Sequence, residues 1–149
     1  MISNPKSIMD LYQKVILDHY KQPRNFGELS DDCIVAQRDN PICGDHLKVM
    51  LHVDTDGRVG EIKFTARGCA LSVASASMMT ELVLHKELDD ARTITRHIIK
   101  IFQEKQEAGR LDQYGEFSAL KGAFEFPVRI KCILLCWHAL EEALEKTEK

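Results

Sequence analysis

The apolar positions of this chain switch period several times, and each switch marks an element. From Ser3 to Tyr20 they recur at three- and four-residue steps (Ile8, Leu11, Tyr12, Val15, Ile16, His19), the stripe of an amphipathic helix. Pro5 suits its first turn, and the run Gln22-Pro23-Arg24-Asn25-Phe26-Gly27 breaks it into a loop. A short strand-like run, Cys33 to Asp39, ends at Asn40-Pro41. From His46 to Val53 the period is two: Leu47, Val49, Leu51 and Val53 face one way, His46, Lys48, Met50 and His52 the other. Asp54-Thr55-Asp56-Gly57 is a hairpin turn, and Arg58 to Ala66 is a third strand with Ile62, Phe64 and Ala66 on one side. The helical period then returns. Ala70 to His85 forms a helix rich in Ala and Ser, whose small side chains serve either close packing or room for a site. Leu88 to Gln106 is a third helix with Ile94, Ile98, Ile101 and Phe102 as its stripe. Ala108 to Phe126, with Gly109, Gly115 and Gly122, reads as a long loop or a broken helix. Pro127 opens a last helix to about Lys146, with Ile130, Leu134, Trp137, Leu140 and Leu144 inward. The expected fold class is α+β, a small antiparallel three-stranded sheet packed with about four to five helices.

The 149 residues, without repeat or linker, fit one domain spanning 1–149. Hydrophobic content of 44% and charged content of 29% are those of a soluble protein. A net charge of -3 without a basic run argues against nucleic acid as partner. Neither a signal peptide nor a membrane-spanning run is visible, so the expected location is cytoplasmic, with no membrane partner.

Five cysteines in a reducing compartment favour metal or catalysis over disulfides. Asn40-Pro41-Ile42-Cys43-Gly44-Asp45 sets a thiol and a carboxylate two residues apart around a glycine that can bend. Cys69 and Cys132 stand at the starts of the second and last helices, where unpaired backbone N–H groups favour negative charge. Cys43, Asp45, Cys69 and Cys132 make a four-ligand set for zinc or an iron–sulfur centre. Their separations of 26 and 63 residues between successive cysteines are not those of a zinc finger. Three thiolates and a carboxylate call for nearby positive charge, which Arg129, Lys131 and Arg67 offer; the alternative for these is a solvated basic surface. An oxygen donor holds a soft metal less firmly than a thiolate does, so a set with Asp45 looks built for ligand exchange. Asp45 could instead cap the turn after Cys43. Cys136 reads as core, Cys33 as an edge-strand residue without partner motif. His46 points away from Asp45, and His19, His52, His85, His97 and His138 read as surface or interfacial.

Several stretches resemble one family across nearly the whole chain: Asp18-His19-Tyr20-Lys21-Gln22-Pro23-Arg24-Asn25, Asn40 to Asp45, Gly68-Cys69-Ala70-Leu71-Ser72 through Met79, and Phe126-Pro127-Val128-Arg129-Ile130-Lys131-Cys132. The chain resembles the iron–sulfur cluster assembly proteins of the IscU/NifU N-terminal family, in the SufU branch. Members of the IscU branch carry a histidine where this chain has Lys131, and a Leu-Pro-Pro-Val-Lys chaperone segment where it has Phe126 to Ile130; Asp112 to Phe126 looks like the SufU insertion. The resemblance implies zinc on Cys43, Asp45, Cys69 and Cys132, a SufS-type cysteine desulfurase as partner and a downstream Suf scaffold complex as acceptor. The function expected is a zinc-dependent sulfurtransferase, with Cys43 as the catalytic, sulfur-accepting residue because its loop can move. The alternative is a scaffold for a labile [2Fe–2S] cluster or iron on the same ligands. A structural zinc domain that binds a partner is a third reading. A cysteine hydrolase using Cys43 and His46 is a fourth, and it lacks an evident orienting third group.

Overall fold

The computed structural model of the chain describes residues 5–30, 32–41, 44–104 and 108–147, with side chains from residue 13 onward apart from Ala108. Helix α1 (Pro5–Lys21) leads into strands β1 (Ile34–Asn40), β2 (Asp45–Val53) and β3 (Val59–Arg67). Helices α2 (Ala70–Val83) and α3 (Leu88–Glu104), a 3₁₀ segment (Ala108–Glu125) and helix α4 (Pro127–Lys146) follow. The strands form one antiparallel sheet in the order β1-β2-β3. The α+β class, the three-stranded sheet and the helix number match the sequence reading.

Alternation in β2 sets which face meets the core. Leu47, Val49 and Leu51 are fully buried, and across the ladder they pair with Ala66, Phe64 and Ile62 on β3. At roughly 25 cal/mol per Å² of apolar area removed from water, each such side chain contributes about 1.5–3 kcal/mol. Met50 departs from the expected pattern. It faces the other way and is nevertheless buried, because β2 is the central strand and Val35 and Lys63 flank it on the two neighbours.

The free edge of β3 is covered by the loop after α1. Asn25 and Gly27 exchange backbone hydrogen bonds with Phe64, and the Phe26 ring meets the Phe64 ring edge-on at 5.3 Å. An unpaired edge invites intermolecular strand pairing, and this loop blocks the edge of β3 at Phe64. Helix α4 runs through the core. Ile130, Leu134, Trp137, Leu140 and Leu144 are buried as its stripe requires, and so are Ile133, Leu135 and Cys136.

Helix α2 is buried without interruption from Ser72 to Thr80, which a helix achieves only with partners on several sides. Its small residues serve both uses weighed from sequence. Ala74 and Ala76 pack in the core. Ser72 and Ser75 reach carbonyls of α4, and Ser77 bonds to α1. The 108–125 region is a broken helix rather than an open loop, interrupted at Tyr114 and Gly115, where Gly115 takes a positive φ of 60°. Phe117 anchors it edge-on against Phe102 and Trp137, and Phe124 stacks on Phe102 at 4.7 Å.

Candidate metal centre

The β1–β2 hairpin delivers Asp45. Asn40 pairs with Asp45 across the ladder, so residues 41–44 form the connecting loop. Gly44 turns it with φ 71°, a left-handed conformation that costs a non-glycine residue about 1–2 kcal/mol. Cys43, in the same loop, lies outside the described residues. Asp45 begins β2 with its side chain only 2% exposed. A carboxylate so buried requires hydrogen-bond partners. Its Oδ1 accepts from the Cys69 backbone N–H at 3.0 Å and its Oδ2 from the Ser72 hydroxyl at 2.6 Å. Asp45 therefore does not merely cap its own turn; it caps the N-terminus of α2 from another element, where the helix dipole favours its charge.

Cys69 is the N-cap residue of α2, with extended backbone. Its Sγ stands 3.9 Å from Asp45 Oδ2 and 3.6 Å from Ser72 Oγ. Cys132 enters from the second turn of α4 and is 2% exposed; its carbonyl lies 3.3 Å from Ser72 Oγ. The ligand atoms of Asp45, Cys69 and Cys132 all lie within 4.8 Å of one another. Tetrahedral zinc, with Zn–S near 2.3 Å and Zn–O near 2.0–2.2 Å, separates its ligand atoms by about 3.5–3.8 Å. Two sulfurs and a buried carboxylate at these separations fit such an ion after small side-chain adjustments. Three of the four ligands read from sequence thus converge.

The basic residues read from sequence are all exposed. Arg67 lines a cleft with Pro41, Gly44, Asp45 and His46; Arg129 lines an apolar groove with Leu71 and Phe126; Lys131 lines a cleft with Asn40 and Pro127. Phe126 and Val128, more than half exposed, stand at the start of α4.

Cys136 is fully buried, and burial pushes its thiol up to about 12, which makes it core as expected. Cys33 is half-buried and immediately precedes the edge strand β1.

Two readings need correction. His46 does have an orienting carboxylate: its Nδ1 contacts Asp39 Oδ1, directly across the ladder. His19 is not a surface residue but wholly buried, because it lies on the inward stripe of α1. Its Nδ1 meets Ser77 Oγ at 2.7 Å, and its Nε2 meets Glu116 Oε1 at 3.1 Å. The stripe that included His19 already contained that signal. Ser72 was missed as the residue holding Asp45; nothing local in Ala70-Leu71-Ser72 announces a partner 27 positions away.

The chain is 42% identical over 138 residues, 93% of its length and 92% of the other's, to the zinc-dependent sulfurtransferase SufU of Bacillus subtilis (strain 168). It is 37% identical over 137 residues, 92% of its length and 84% of the other's, to the iron–sulfur cluster assembly scaffold protein IscU of Streptococcus pyogenes serotype M1. Among solved structures, a chain from Fervidobacterium islandicum AW-1 described as a candidate cluster assembly scaffold for the SUF system superimposes with a TM-score of 0.76 at 27% identity, covering 95% of this chain and 99% of that one. The profile of the NifU-like N-terminal domain matches residues 11–149, and the chain belongs to that family.

Proposed function

We propose that this chain is a single-domain, cytoplasmic, zinc-dependent sulfur carrier of iron–sulfur cluster assembly. The observation that carries the reading is the convergence of a buried Asp45 carboxylate with the Cys69 and Cys132 thiols beside the loop that bears Cys43. Cys43, Asp45, Cys69 and Cys132 would hold the ion, which when bound keeps its thiol ligands deprotonated. Asp45 is the oxygen donor in a set otherwise of sulfur, and its two hydrogen bonds from α2 give its carboxylate somewhere to stay when Cys43 is displaced.

In the proposed transfer, the Cys43 thiolate attacks the terminal sulfur of a persulfide on a SufS-type cysteine desulfurase. An S–S bond forms to Cys43, the old S–S bond breaks, and the desulfurase cysteine leaves as a thiolate. Cys43 then hands its sulfur to a downstream Suf scaffold complex. Cys43 suits the task because the sequence sets it beside Gly44 between two strands, in a stretch that can move more easily than a helix, whereas Cys69 and Cys132 are built into helix starts. The groove lined by Ile16, Leu71, Leu120, Phe126 and Arg129, with Val128 close by on α4, offers the desulfurase an apolar landing surface.

The test is sulfur transfer from the desulfurase with cysteine, using protein whose metal has been counted. Zinc near one per chain, a persulfide on wild-type protein and none on Cys43→Ser would support the carrier. The second reading, favoured by the scaffold name of the Streptococcus relative, places a labile [2Fe–2S] cluster on the same four residues as cargo. It predicts a transferable cluster formed without any Cys43 persulfide.

A further inference from the structure

A second polar cluster lies on the α1 side of α2, away from the cysteines. His19 from α1, Glu81 from α2 and Glu116 from the 3₁₀ segment bring Nε2 and two carboxylate oxygens within 4.8 Å of one another. His19 Nε2 is 3.1 Å from Glu116 Oε1 and 3.9 Å from Glu81 Oε1. The imidazole is fully buried, while the two carboxylates are about half exposed, at 47% and 58%. The ring is fixed from behind. Ser77 Oγ sits 2.7 Å from Nδ1 and itself accepts the Arg24 backbone N–H at 2.8 Å. A ligating histidine is commonly held in this way, its second nitrogen pinned by a hydrogen bond so that the first aims at the ion.

We propose that His19, Glu81 and Glu116 form a second cation site, for a first-row divalent ion bound through one imidazole and two carboxylates, with water completing its shell from the exposed side. The donor set selects the ion class: imidazole suits zinc, iron, cobalt and nickel better than magnesium or calcium, and no thiolate competes for a softer ion. Charge agrees. The carboxylates of Asp18, Glu81 and Glu116 against the Arg24 guanidinium sum to a formal -2 with His19 neutral, which a dication cancels. The guanidinium does not occupy the position itself. Arg24 is turned to Asp18 Oδ2 at 2.6 Å and to the Gln22 carbonyl at 3.0 Å. Chain geometry agrees too, because Glu116 follows directly on the Tyr114–Gly115 break, where the 3₁₀ segment changes direction. A bound ion would staple that segment to α1 and α2. The rival account is an ion pair between a protonated His19 and its two carboxylates, with no place for a metal.

Cobalt(II) titrated into zinc-loaded full-length protein decides between them, because cobalt reports its own donors by absorption. Wild type is expected to take up one cobalt per chain with ligand-field bands but no thiolate-to-cobalt charge transfer, and to melt at higher temperature in its presence. The Glu81→Gln, Glu116→Gln double variant alters only half-exposed side chains and leaves the buried imidazole alone. It should keep its zinc and its circular dichroism and bind cobalt more than about tenfold more weakly. The proposal is overturned if wild type takes up no cobalt beyond its zinc, if the double variant binds cobalt as well as wild type, or if all bound cobalt shows thiolate charge transfer, which would place it in the cysteine site. None of these outcomes depends on whether Cys43 carries sulfur.

Discussion

Gly68 and Asp45 approach so closely that no side chain fits between them: a Cβ on residue 68 would stand 2.2 Å from Asp45 Oδ1 and 2.7 Å from its Cγ. The constraint is space, since the obstructing atoms belong to a carboxylate locked by two hydrogen bonds. Gly68→Ala should therefore push the carboxylate out of its seat. We expect a stability loss of about 1–3 kcal/mol and zinc affinity lowered about tenfold or more, read by denaturant unfolding and by competition with a chromophoric chelator. Gly44→Ala is the contrasting variant. Its Cβ meets nothing within 4 Å, and its cost comes from the positive φ alone. Unchanged zinc affinity in Gly68→Ala would remove Asp45 from the ligand set.

Ser72 and Ser75 separate support of the site from support of the helix. Ser75 donates its hydroxyl proton to the Ile133 carbonyl of α4, whereas the single proton of Ser72 goes to Asp45 Oδ2 at 2.6 Å, with the Cys132 carbonyl farther off at 3.3 Å. Each change to Ala should cost about 1 kcal/mol, the usual net worth of one buried hydrogen bond. Only Ser72→Ala should also weaken zinc, by about 10–100-fold, as expected for loss of a group that orients a ligand. Equal zinc affinities for the two variants would mean that Ser72 has no part in holding the carboxylate.

How far the sequence discloses this molecule depends on how far apart the cooperating residues lie. Strand β2 was readable because Leu47, Val49 and Leu51 alternate within a few residues, and α4 because Pro127 marks its start and its apolar stripe keeps helical step. Asp45, Cys69 and Cys132 could be named as candidates because each stands at a turn or a helix start, but their meeting depends on how the sheet and two helices stack. Ser72, Glu81 and Glu116 carried no local signal at all. Met50 misled because alternation describes a two-faced sheet, while a central strand can bury a side chain on either face. The Asp39–His46 contact escaped notice because it is a cross-strand pair whose register follows from the hairpin.

The 3₁₀ segment should depend on its aromatic anchors. Phe117 is 1% exposed and meets Phe102 at 6.1 Å and Trp137 at 5.5 Å, both edge-on. Phe117→Ala leaves a cavity between that segment, α3 and α4, and is expected to cost about 3–5 kcal/mol. Hydrogen exchange should rise first in residues 108–125, while the strands keep their protection. Uniform loss of protection would show instead that the segment folds as one unit with the core.

Cys136 gives the fold a dependence on alkaline pH. Its thiol is pushed up to about 12 by burial, with Ser75 Oγ 3.4 Å from the sulfur only partly offsetting that cost. An exposed cysteine in the unfolded chain titrates near 8.5. Below that pH both states hold the proton, and the buried thiol contributes its full share to stability. Above it the unfolded chain gains by ionising and the folded chain does not, so stability falls as pH rises toward about 12. The slope approaches roughly 1.4 kcal/mol per pH unit for one group. Unfolding at alkaline pH involves more than one group, so the quantity to measure is a difference. Unfolding free energies of zinc-loaded wild type and Cys136→Ala should diverge with rising pH above about 9, the wild type losing more. Parallel curves would show that the thiol ionises in the folded protein as readily as in the unfolded chain, and that the helix α4 core admits water at Cys136.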